Sequence, residues 1–120
     1  MYRAVRAVFD KAIRVMGKTH CINFIYQYTA KESAPCFYLT YKEARRIIHA
    51  HEAGKLRYRA REIITKRDRD FVEAYRRFML SHRGCLKSWA ILEVIASPAP
   101  QFYIDYRMVA SIVSGRDNRI

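Results

Sequence analysis

The side chains best suited to chemistry in this chain of 120 residues are its cations. Lys42, Arg45 and Arg46 lie close together, and Lys55, Arg57, Arg59, Arg61, Lys66 and Arg67 follow. Ammonium and guanidinium groups in such a cluster recognise phosphate. Each phosphate neutralised releases condensed counterion, so binding should fall steeply with salt. The whole chain carries a formal charge of +12. Residues 41–85 hold +7 of it (13 basic, 6 acidic), against +4 for 1–40 (6 basic, 2 acidic) and +1 for 86–120 (4 basic, 3 acidic). Self-repulsion on that scale points to a polyanionic partner, and the unevenness places the contact face in the middle of the chain. The plainer reading is a solvated face laced by i,i+4 pairs such as Glu62–Lys66.

Other chemistries are less well supplied. Tyr38, Tyr41, Tyr103 and Tyr106, with Phe37 and Phe102, could stack unpaired bases or anchor turns. Of these, Tyr41 and Tyr106 are the expected exposed pair, with hydroxyls suited to phosphate. His20, Cys21, Cys36, His49, His51, His82 and Cys85 lack the close pairs of a zinc site, so no metal or cofactor is expected. An odd number of separated cysteines fits a reducing cytoplasm rather than a disulfide framework. No P-loop, GxSxG, HExxH or paired-carboxylate pattern occurs, so the expectation is a non-enzyme with no small-molecule substrate. No run is long and apolar enough to cross a membrane, and the amphipathic N-terminus reads as a first helix rather than a transit peptide.

These cations need elements to position them, and an internal repeat supplies the plan. Residues 34–48 (APCFYLTYKEARRII) align with 99–113 (APQFYIDYRMVASIV) at an offset of 65. Proline, two aromatics, a helix-capping residue and the apolar stripe recur together. Pro35 and Pro100 force an extended approach. Thr40 with Glu43 reads as a capping box, and Asp105 as an N-cap. Upstream, FDKAIR at 9–14 resembles FVEAYR at 71–76, and Cys21-Ile22 resembles Cys85-Leu86.

Residues 21–30 suit either a short buried helix or, by their aromatic and β-branched content, a strand, and the match to the later helical segment favours the helix. Apolar periodicity predicts helices over about 2–17, 41–51 and 66–82. It predicts another around Leu86, Trp89, Ala90, Ile91, Val94 and Ile95, expected to be the centre of the core, and a last over about 106–114. Gly54 and Gly115 should stop the third and the last. Scarce glycine and proline (4 and 3) disfavour an all-β fold.

The expectation is therefore a single all-α domain over 1–120: two tandem helix-turn-helix-like three-helix units packed together. Unit one spans about 2–54, a basic connector 55–65, and unit two about 66–115. The FY segments stay open between turns and a short two-stranded pairing. In such a plan each third helix, after Thr40 and after Asp105, would enter the major groove. The second is poorer in charge, with Arg107 and then Arg116 and Arg119.

The arrangement K-R-D-x-D-F…Y…S-P-A-P-x-F-Y-I-D resembles small uncharacterised proteins of gut-type Bacteroidetes, their phages and mobile elements. It is also similar to the helix-turn-helix part of phage packaging or recombination accessory proteins. The resemblance covers about 65–115, and more weakly 34–54, and implies no catalytic residue. The expected function is a nucleic-acid-binding accessory or regulatory protein, duplex DNA favoured, cytoplasmic or virion-associated, acting as a homo-oligomer. The alternatives are a phage or mobile-element structural adaptor, and an RNA or single-strand binder.

Overall fold

The computed structural model describes residues 1–55 and 62–115. Among them it is all-helical: α1 (Tyr2–Met16), α2 (Ile22–Lys31), α3 (Tyr41–Glu52), α4 (Glu62–Ser81), α5 (Lys87–Ala96) and α6 (Tyr106–Ser114). The helix boundaries follow local chemistry. At α3 the Glu43 amide donates to Thr40 Oγ1 (3.1 Å), and Thr40's own amide and hydroxyl donate to Glu43 Oε1 (3.5 and 3.0 Å), a complete capping box. At α6 the Met108 amide donates to Asp105 Oδ1 at 2.9 Å. Gly115, at φ 81°, closes α6 in the left-handed region that a side chain resists. No helix among the described residues is long and apolar enough to cross a membrane.

The chain forms two compact units. Unit 1 comprises Met1–Ala34 and Ala99–Ile120; unit 2 comprises Pro35–Pro98. In unit 1, α1, α2 and α6 pack on one another; in unit 2, α3, α4 and α5 do. The sequential grouping expected from the repeat is thus replaced by an exchange. Each unit takes its first two helices from one copy and its third from the other. The physical cause lies in the connectors. Residues 32–40 and 97–105 are non-helical. Nine extended residues can span up to about 30 Å, enough to deliver a helix elsewhere rather than fold it back.

No paired strands form at the FY segments. An isolated antiparallel bridge sits just upstream, where Ala34 and Ala99 exchange reciprocal amide–carbonyl bonds of 3.0 Å. The FY residues serve packing instead. Phe37 is 2 % exposed and meets the Phe71 ring edge-on at 5.4 Å. Its amide donates to the Ile95 carbonyl at 3.0 Å. In unit 1, Phe102, Tyr103 and Ile104 are all buried. Tyr103 has φ 59°, a strained backbone that its burial holds in place.

The core of unit 1 is built on Val5, Phe9, Ala12, Ile25, Val109 and Ile112, and that of unit 2 on Ala44, Ile47, Ile48, Phe71, Tyr75 and Val94. The expected centre around α5 is only half right. Ala90, Ile91 and Val94 are buried, but Leu86 is 74 % exposed and Trp89 43 %. Leu86 precedes the first helical residue as the N-cap, so it lies off the inner stripe. The α2/α5 match is in register at the same offset of 65 as the match of 34–48 to 99–113. Cys21 therefore pairs with Leu86 as N-cap, rather than with Cys85.

Candidate nucleic-acid interface

In α3, Ala44, Ile47 and Ile48 face inward, 0–2 % exposed. At 3.6 residues per turn, that orientation turns positions 42, 45, 46 and 49 outward as one stripe, about 10 Å long. Lys42, Arg45, Arg46 and His49 are all exposed and, with Glu43, line an open depression of about 440 Å³. The one carboxylate at its margin, Glu43, is held by Thr40. Among the described residues no carboxylate bonds to Lys42, Arg45 or Arg46. With three cations against the single carboxylate Glu43, the stripe is a net positive surface on a capped helix. It can dock phosphates, and the guanidiniums can reach a guanine edge.

The remaining expected contacts divide. Lys55 is exposed directly after Gly54. Lys66 is exposed on α4 but bonds Asp70 at 3.3 Å, an i,i+4 pair in place of the expected Glu62–Lys66. A surface pair of this kind contributes about 0–1 kcal/mol, little enough for a phosphate to displace it. Arg67 is differently placed. Its Nε and Nη2 donate to Asp68 Oδ1 at 3.2 and 3.1 Å, with its side chain only 16 % exposed and Asp68 buried. The Arg67 guanidinium is thus engaged by Asp68 in this fold, unlike the solvent-facing cations of α3. Arg57, Arg59 and Arg61, and also Arg116 and Arg119, lie outside the described residues.

On α6, Arg107 is exposed, and its Nε donates to the neighbouring Tyr106 hydroxyl at 3.5 Å. That bond, with the nearby Asp105, raises its pKa further above the usual guanidinium range. The rest of the equivalent face is Ala110, Ser111 and Ser114. Tyr41 and Tyr106 are each 38 % exposed, and so is Tyr38. Phe37, Phe102 and Tyr103 are buried anchors.

His49, which the helical spacing sets on the outward side with Lys42, Arg45 and Arg46, completes the α3 stripe. One feature escaped the reading of sequence. Arg76 and Arg83 in unit 2 are exposed with no bonded carboxylate among the described residues. Unit 2 as a whole has 14 basic and 7 acidic residues, a net +7. Among the described residues no three His, Cys, Asp or Glu side chains gather in a metal-binding group. Cys21, Cys36 and Cys85 are free thiols. Comparison with protein families, with curated proteins and with solved structures finds no match to this chain.

Proposed function

We propose that the protein binds nucleic acid, duplex DNA foremost, through the outward face of α3, as an accessory or regulatory protein that does no catalysis. The observation that carries this reading is the exposed Lys42–Arg45–Arg46–His49 stripe, its cations bonded to no carboxylate among the described residues, on a capped helix of a unit with net charge +7. A helix about 10–12 Å across suits a major groove about 12 Å wide. In that groove Lys42 and Arg46 contact phosphate while Arg45 reaches base edges.

The test is an anisotropy titration of a labelled duplex over a range of salt. The two phosphate contacts of Lys42 and Arg46 alone give a slope of about −2 in log K against log salt, and any further contact steepens it. Substituting Lys42, Arg45 and Arg46 together by Ala should weaken binding at least about 10-fold and flatten that slope. An absence of binding to any duplex at low salt would contradict the proposal.

A second reading, a phage or mobile-element structural adaptor that self-assembles, is favoured by one observation. Leu80, Leu86 and Leu92 of unit 2 are 53–74 % exposed. Light scattering with and without DNA separates the two: the adaptor assembles without nucleic acid. Either role places the protein in the cytoplasm, or in the virion if phage-borne.

A further inference from the structure

Unit 1 carries a different surface. The outward face of α2 and its leading turn presents His20, Phe24, Gln27, Tyr28 and Lys31, spaced at i, i+4, i+7, i+8 and i+11, as one helical stripe. All five are exposed. Phe24 is 44 % and Tyr28 43 % exposed, large values for aromatic rings with a core available. His20 stacks on Phe24 with centroids 4.7 Å apart and planes 21° apart, which fixes the orientation of that ring. Hydrogen bonding and charge from the neighbouring Glu32 raise the Tyr28 phenol's pKa above its ordinary value. Phe24, Gln27, Tyr28, Lys31 and Glu32 line an open depression of about 270 Å³.

The exposed ring is part of the repeat. Trp89 occupies the position equivalent to Phe24 in α5 and is 43 % exposed. It too lies against a histidine, with the His82 ring at 5.8 Å and Phe78 at 5.2 Å. Only the first copy extends this into a ladder, because the positions of His20 and Tyr28 are taken by Cys85 and Glu93 in the second.

We infer that the outward face of α2 is a second nucleic-acid contact, which stacks unpaired bases of a single strand on Phe24 and Tyr28. Rings stack any base through its π-face, while a neighbouring cation tracks the backbone. Lys31 supplies that cation, and the Gln27 amide offers donors and an acceptor to a base edge. The charge of the unit agrees with a polyanion rather than an apolar protein partner: 9 basic residues against 4 acidic ones. This surface shares no residue with the α3 stripe, so either can fail without the other.

The test uses the full chain with labelled oligothymidine and a labelled duplex at one fixed salt concentration. Phe24→Ala with Tyr28→Ala should lose roughly 10-fold or more in single-strand affinity while duplex affinity stays within about 2-fold. Phe24→Tyr with Tyr28→Phe keeps both rings and should retain single-strand binding, which separates stacking from loss of fold. Unchanged single-strand affinity in the alanine pair overturns the inference. So does an equal loss on both ligands. If the wild type self-associates without nucleic acid and the alanine pair does not, the face is a protein interface, and the inference is overturned in that way too.

Discussion

Helices α3 and α6 are two copies of one element, and they are alike on the inside only. Ala44 and Val109 are both fully buried, Ile47 and Ile112 are 2 % and 0 % exposed, and both helices begin on a side-chain cap. Outside, Lys42, Arg45, Arg46 and His49 face solvent on α3, where α6 has Arg107, Ala110, Ser111 and Ser114. Packing constrains the first set through full burial; the second set is exposed on α3 and at most half-buried on α6. The comparison teaches that the repeat specifies architecture, while the unrepeated outward residues are the place to look for function.

The largest effect should come from the shared interior. Ile47→Ala and Ile112→Ala remove equivalent buried side chains and should each cost about 2–5 kcal/mol by urea denaturation. Hydrogen exchange then shows where each loss is felt. Because of the exchange of third helices, Ile47→Ala should lower protection in α4 and α5, and Ile112→Ala in α1 and α2. The reverse assignment would break the packing described.

A smaller effect should come from the caps. Thr40→Ala and Asp105→Ala should each cost about 1 kcal/mol, measured as a shift of the urea midpoint at constant slope. A much larger loss at Thr40 would mean that the capping box orients the α3 stripe as well as ending the helix.

The smallest effect concerns an ion pair on one side of the comparison only. Lys87 Nζ lies 2.6 Å from Glu52 Oε2, tying α5 to the end of α3. The hydrogen bond and charge of Glu52 raise the Lys87 pKa above its ordinary 10.5. A base whose pKa rises on folding contributes stability below its unfolded pKa, and loses it as pH climbs through the folded value. The small advantage of wild type over Lys87→Met should therefore be present at neutral pH and fade above about pH 10.5. An advantage that persists at still higher pH would assign it to packing of the lysine stem.

Much of this was legible in the sequence, for identifiable reasons. Caps and stops depend on single residues, so Thr40–Glu43, Asp105 and Gly115 announced their helix ends. The exchange of third helices was not legible. Both α3 and α6 present the same inner stripe, so the pattern says what each helix buries and not which hairpin receives it. The face of α5 was hidden because LKSWAILEVIAS is apolar nearly all round, which left the exposure of Leu86, Trp89 and Leu92 to be decided by tertiary context. At the candidate site, the i,i+3,i+4 spacing of Lys42, Arg45 and Arg46 was readable. The capture of Arg67 by the adjacent Asp68 was not, since neighbours in sequence point apart on an ideal helix.

The most direct test of the central claim, that position on α3 matters rather than total charge, is a charge-relocation variant. Arg45→Ala and Arg46→Ala remove two cations from the stripe, while Ala7→Arg and Ser114→Arg restore the net +12 at exposed positions in α1 and α6. Duplex affinity is then measured by anisotropy at one salt concentration, with circular dichroism confirming the fold. We predict a loss of about 10-fold or more despite the unchanged net charge. Affinity equal to wild type would contradict the account and reduce the binding to generic attraction between a basic protein and a polyanion.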